Sequence, residues 1–148
     1  MSETPGRILA LDLGERRLGL AISDGLGVTA QPVEKLSSHG RARDVRQVRD
    51  IVEQRGVVKM LIGDPLHLSG RIGARAEHAR RFATSLAAVL QGVEVELWDE
   101  RLTTAQIERE MIAGNVSRRR RREVVDSLSA VLILQSYLDA RSVRGTPP

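Results

Sequence analysis

The sequence predicts an α/β domain: a mixed five-stranded sheet flanked by helices. Three observations predict it. Short apolar runs bounded by Gly and charged residues occur twice within 8–24 and again at 57–62 and 93–98, which reads as strands. Apolar residues fall at helical spacing over 41–55, 74–90 and 124–138. The strand-like runs cluster at the start of the chain and then alternate with helices, the order produced when crossovers extend a meander into a mixed sheet. At 148 residues and 41% apolar composition, the chain suits one domain, 1–148, with an ordered core from about 7 to 140.

Residues 8–24 read Ile8-Leu-Ala-Leu-Asp12-Leu-Gly14-Glu-Arg-Arg-Leu-Gly19-Leu-Ala-Ile-Ser-Asp24. An apolar strand stops near a carboxylate, a Gly turn follows, and a second strand leaves it. Residues 28–36 predict a third strand, and Pro32, which lacks a ladder donor, predicts that it lies at an edge. Three strands with short connections make an antiparallel meander. The segment 41–55 carries Val45, Val48, Ile51 and Val52 on a charged background and predicts an amphipathic helix stopped by Gly56. Residues 57–62 predict a buried strand, parallel to the earlier sheet because a crossover helix precedes it. The stretch 63–73 holds three Gly and one Pro and predicts a loop at a strand end. Ala79, Phe82, Ala83, Leu86 and Leu90 stripe a second helix over 74–90, with Gly92 beyond its end, and 93–98 predicts the fifth strand. Thr103 and Gln106 fit a capping box that opens a helix at about 104–113. A last helix is expected over 124–138, after the arginine block. The order β-β-β-α-β-α-β-α-α is that of the RNase H-like fold.

Composition removes several functions. There is no Cys, so disulfides, thiolate metal sites and Cys nucleophiles are excluded. His39, His67 and His78 have no zinc-like spacing, so any metal would be held by oxygen and would be Mg²⁺ or Mn²⁺. With one Trp, one Tyr and one Phe, the chain cannot build a ladder of base-stacking aromatics. Nucleic-acid contact should then run through phosphates and shape. There is neither an apolar run long enough to span a membrane nor a signal-peptide pattern at the start, so a cytoplasmic protein is expected. The net charge is +4, and Arg118, Arg119, Arg120, Arg121 and Arg122 are consecutive. Such a block is either a solvated helix face or an anion-binding surface.

Three carboxylates sit at the edges of apolar segments: Asp12, Glu100 (beside Asp99) and Asp126. Each has an ordinary structural reading. Asp12 could cap its turn through backbone hydrogen bonds, Glu100 could pair with Arg101 or Arg17, and Asp126 could favour a helix N-terminus. Asp24 is most simply a turn residue, and His67 and His78 surface residues. The catalytic reading needs strand 1 to be central with strand 5 beside it, so that Asp12 and Glu100 share a crevice to which Asp126 is added. Clustered carboxylates raise each other's pKa unless a divalent cation compensates. Two such cations about 4 Å apart would activate a water and stabilise the leaving oxygen of a phosphodiester.

Four segments resemble, in order, the motifs of the YqgF/RuvX family: 12–24, Gly63-Asp-Pro-Leu-His-Leu-Ser-Gly70, Trp98-Asp-Glu-Arg-Leu-Thr-Thr104 and Val125-Asp126-Ser-Leu-Ser-Ala-Val-Leu-Ile-Leu-Gln135. The resemblance spans residues 7–140. It implies an RNase H-like, cytosolic bacterial nuclease of the two-metal type, using Mg²⁺ or Mn²⁺. Asp12, Glu100 and Asp126 would be its catalytic and metal-binding residues. The substrate it implies is structured RNA, for 5′-end processing of pre-16S rRNA, or branched DNA under the older label of Holliday junction resolvase. It further implies that the 63–70 loop, Gly70 included, approaches the substrate backbone, with Arg101 and Arg118 to Arg122 as further nucleic-acid contacts. This chain departs from the family at Asp64, where an apolar residue is usual, and at His67, where Asn is usual. The protein would act as a monomer or, for a junction, as a homodimer offering two sites. Two other classes are weighed. An actin-like ATPase needs a cleft between two such domains, which one domain does not supply. A non-catalytic nucleic-acid-binding module would have little reason to keep three carboxylates.

Overall fold

In the computed structural model, residues 6–143 are described, except for the side chains at 102, 104–108, 110, 122–127, 142 and 143. The elements are β1 (Arg7–Leu13), β2 (Arg17–Ser23), β3 (Ala30–Ser37), α1 (Arg41–Arg55), β4 (Val57–Asp64), α2 (Ala74–Val89), β5 (Glu94–Asp99), α3 (Glu100–Ala113) and α4 (Arg118–Val143). The strands form one sheet in the order β3-β2-β1-β4-β5. β1–β2 and β2–β3 are antiparallel, and β1–β4 and β4–β5 are parallel. The expected meander, parallel crossovers and edge position of the Pro32 strand are all present.

Alternation along the strands divides the core between the two faces. Leu9, Leu11, Met60 and Ile62 point to one face and pack with Val45, Val48 and Val52 of α1 and Phe82 and Leu86 of α2. Ile8, Ala10 and Leu61 point to the other and pack with Ala130, Ile133, Leu134 and Leu138 of α4. Burial of each large apolar side chain contributes about 1.5–3 kcal/mol. Polar contacts hold α4 in place across its face. Lys59 of β4 donates to Tyr137 Oη at 2.8 Å and to Glu96 at 3.0 Å. The Gln135 amide accepts from Ala30 N at 3.1 Å and donates to Val28 O at 3.2 Å.

Four local expectations are corrected. β4 continues through Gly63 and Asp64, because the Asp64–Asp99 pairing prolongs its ladder with β5. The capping box at Thr103 does not form. Asp99 caps α3 instead, its Oδ1 accepting the Arg101 backbone N–H at 2.9 Å. Helix α3 therefore starts at Glu100, and Thr103 lies within it, buried, its hydroxyl without a partner among the described residues. The arginine block does not precede the last helix but forms its first turns, since α4 starts at Arg118. Asp126 is thus in the third turn, two residues before a break in helical geometry at Leu128. Finally, β5 is not beside β1; β4 lies between them.

Candidate active site

Asp12 ends the buried part of β1 and shares the α4 face with Ile8 and Ala10, by strand alternation. It pairs across the sheet with Gly19. On the other side, Leu11 pairs with Ile62, so Gly63 is the next residue of β4 alongside Asp12. Both neighbouring strands thus present a glycine beside the carboxylate. A methyl group at Gly19 would lie 3.6 Å from Asp12 Cβ and 3.8 Å from Ala130 Cβ. At Gly63 it would come within 3.0 Å of Glu100 Cδ, 3.1 Å of Glu100 Oε2 and 2.7 Å of Ile133 Cδ1. The bare Gly63 backbone lets Glu100 lean from the end of β5 across β4 toward Asp12.

The electrostatics record that approach. Glu100 is pushed up to about 7 by burial first and by the Asp12 carboxylate second; Arg75 pulls the other way, and Asp64 and Asp99 add to the rise. Arg101 does not neutralise Glu100, because Asp99 engages its guanidinium at 2.7 and 3.0 Å. That contact holds Asp99 below the usual carboxylate range.

Asp64, the departure noted in the Gly-rich segment, is buried on the opposite, α2 face. Its Oδ2 accepts from Arg80 Nη2 at 2.8 Å, while Oδ1 has no partner among the described residues. Burial pushes its carboxyl up, against the pull of Arg80. It forms an ion pair with α2 instead of lying in the loop. His67 packs against Gly73 and lies 3.3 Å from Arg71 Nη2, bracing the loop. Gly70 is exposed at φ +89, and its N–H closes the turn on His67 O at 2.7 Å. Arg101 Nη1 donates to Leu68 O at 3.3 Å, tying the loop to the start of α3.

The structure brings together Asp12 and Glu100. Asp126 is on α4, one turn before Ala130, and its side chain lies outside the described residues. A break in helical geometry at Leu128 (φ −119°, ψ 17°) separates the two. Among the described residues, no group of three or more acidic or His side chains forms a metal cluster. Arg118, Arg119 and Arg120 are exposed, Arg121 donates to Val116 O at 2.7 Å, and the Arg122 side chain is outside the described set. The block lies on the other side of the Leu128 break from Ala130.

One feature of the site escaped sequence reasoning. A cleft of about 310 Å³ opens beside Asp12, between the β1–β2 turn, β3 and α4, and is lined by Arg16, Arg17 and Lys35 among others. The signal was the Glu15-Arg16-Arg17 turn directly after the Asp12 strand, but nothing in the spacing places Lys35 next to it. No helix among the described residues is long and apolar enough to cross a membrane.

Comparison with known proteins bears on this geometry. The profile of a family described as "RuvX: Holliday junction resolvase" matches residues 6–140. A protein from Pelotomaculum thermopropionicum is 46% identical over 136 residues, covering 91% of this chain and 88% of its own. Another, from Symbiobacterium thermophilum, is 44% identical over 142 residues, covering 96% of each. Both carry the name "Putative pre-16S rRNA nuclease". Among solved structures, Thermus thermophilus RuvC bound to a Holliday junction aligns with TM-score 0.57 at 14% identity over 92% of this chain and 95% of that one. RuvC alone gives 0.54 at 16% identity, covering 93% and 96%. At such identities the likeness concerns the fold, and it agrees with the RNase H-like order of elements.

Proposed function

Since the chain belongs to the RuvX family, we propose that it is a metal-dependent endonuclease that hydrolyses phosphodiesters in structured RNA, working in 5′-end maturation of pre-16S rRNA in the bacterial cytoplasm. The observation that carries the chemistry is the approach of Glu100 to Asp12 over Gly63, with Glu100 raised to about 7. Holding two carboxylates close together in a half-buried place is costly unless a cation joins them.

The residues fit a hard divalent metal. The donors are carboxylate oxygens, and the glycines on either side of Asp12 leave space beside them. Asp12, Glu100 and Asp126 would hold Mg²⁺ or Mn²⁺. Such a metal, when bound, supplies an acidified water and stabilisation of the leaving oxygen. The chain's own residues do the rest. The Asp99–Arg101–Leu68 link ties the Gly70 loop to the start of α3, next to Glu100, and Arg101 would act through that loop. Arg118, Arg119 and Arg120 would neutralise phosphates farther along the strand. Arg121 and Arg122 are the remaining arginines of that block.

The alternative is Holliday junction resolution in DNA, favoured by the family's description and by the likeness to RuvC. A resolvase would work as a dimer with two sites. Cleavage of a pre-16S 5′-leader RNA and of a four-way DNA junction, side by side with Mg²⁺, Mn²⁺ or EDTA, tests both. Metal-dependent cutting of the RNA alone supports the first reading, and symmetric cutting of the junction alone supports the second. No cutting of either substrate in any metal overturns the nuclease proposal.

A further inference from the structure

The cleft beside Asp12 carries an inference that rests on the nucleic-acid reading above and deepens it. We propose that it receives a single unpaired nucleotide next to the scissile phosphate, so that the protein selects strands carrying a bulged or splayed-out base at the cut.

Position comes first. Asp12 and Gly19 line the cleft as well as the carboxylate site, so whatever fills it is contiguous with the reacting phosphate. Size comes second. A volume of about 310 Å³ is at the low end of the roughly 300–1,000 Å³ of small-molecule sites. It admits one nucleotide-sized group. The volume suits one unpaired nucleotide better than a base pair with its stacked neighbours.

The surface chemistry is divided in the way a nucleotide is divided. Arg16, on the turn after β1, Arg17, the first residue of β2, and Lys35, on β3, supply cations at the rim. None of the three is ion-paired among the described residues, so each can turn to a phosphate. Glu15 is the other charged residue of the turn and can accept from an exocyclic amine. The lining also includes apolar Leu20, Val33 and Ala130, a surface for a base face or sugar. Leu128 adds to it where α4 leaves helical geometry, and it is 39% exposed. Trp98 and Tyr137 pack against each other at 5.2 Å and do not line the cleft. The base would therefore contact aliphatic side chains and the guanidinium planes of the turn.

The test is read without catalysis. Anisotropy in EDTA would measure binding of three RNA hairpins of equal length: fully paired, with one bulged nucleotide, and with an abasic bulge. The same three are made as DNA. Wild-type protein should bind the base-bearing bulge at least fivefold more tightly than the paired hairpin, and the abasic bulge should lose most of that gain. An Arg16→Ala/Lys35→Ala double variant, checked for folding by its melting curve, should reduce the preference below twofold, and Lys35→Arg should retain it. Equal binding of bulged and paired hairpins by the wild type, or an unchanged preference in the folded double variant, overturns the proposal. If the double variant does not fold, the abasic comparison on wild type decides alone. Because no metal is present, a bulge preference without any later metal-dependent cleavage would remove the nuclease reading and leave the cleft. Metal-dependent cleavage with equal binding would do the reverse.

Discussion

The carboxyl group of Glu100 lies directly over the Cα of Gly63, with Cδ 3.0 Å from where a β-carbon would stand. The same β-carbon would meet Ile133 Cδ1 at 2.7 Å. Gly63→Ala should therefore push Glu100 away from Asp12 and strain the α4 packing. Overpacking of this kind costs about 1–3 kcal/mol, and cleavage should fall more than tenfold. At Gly19, by contrast, an added methyl meets only ordinary contacts of 3.6 and 3.8 Å. Gly19→Ala should keep nearly the wild-type melting curve. Urea melts of the two variants, with kinetics on one substrate, check the contrast.

Burial and Asp12 raise Glu100 to about 7 in the metal-free protein. The folded state then holds a proton that the unfolded state has released between the ordinary Glu value and 7. Metal-free stability should fall as pH rises through that window and level off above it, by on the order of 3 kcal/mol. Glu100→Gln should flatten this slope. Metal must displace the same proton, so Mn²⁺ affinity should climb as pH rises toward and past 7. Urea melts of EDTA-treated protein from pH 4 to 8.5 read the first effect, and calorimetric titration with Mn²⁺ over the upper part of that range reads the second.

Asp12→Asn keeps the volume and removes a charge and a ligand oxygen. Cleavage should drop by at least a hundredfold while RNA binding in EDTA stays within about threefold, as gel shift would report. Normal cleavage by this variant would remove Asp12 from the site. Glu100 should also lose part of its upward push, since Asp12 is one of its causes.

Arg118→Ala/Arg119→Ala/Arg120→Ala should weaken binding and flatten its dependence on salt. Each lost phosphate contact removes about 0.7–0.9 from the slope of log K against log salt. An unchanged slope would mean that the arginines only solvate the helix.

Asp64 and Arg80 predict a stability effect without a direct catalytic one. Removing Arg80 leaves a nearly buried carboxylate without its cation. Arg80→Ala should cost about 2–3 kcal/mol, less than a fully buried pair because the arginine side chain is 38% exposed. Asp64→Asn/Arg80→Ala should recover part of that loss, and a double-mutant cycle by urea melts measures the coupling.

Much of this protein is readable from the chain alone, because the signals are local. The apolar runs at 8–24 and 57–62, the helical spacing at 41–55 and the stop at Gly56 depend only on near neighbours, and α1 and its left-handed cap stand where expected. Asp12 and Glu100 stood out because a carboxylate beside an apolar run is costly wherever the chain goes. Errors arose where a nonlocal contact overrode a local signal. Thr103 has the spacing of a cap, but Asp99, held at the sheet end by its pairing with Asp64, reaches the helix first. Asp64 falls in a segment whose Gly and Pro content predicts a loop, but pairing with Asp99 keeps it in β4 and strand alternation turns it onto α2 and Arg80.

The sequence by itself determined the fold class, the place of most strands and helices, the absence of thiol chemistry and the identity of the conspicuous carboxylates. Only the tertiary structure decided that β4 separates β1 from β5, that Gly63 lets Glu100 cross that gap, and that Lys35 joins Arg16 and Arg17 around a cleft. The physical reason is that side-chain preference acts over a few residues. Strand order and the packing of α4 instead bring together groups far apart in the chain, and neither leaves a periodic mark in the sequence.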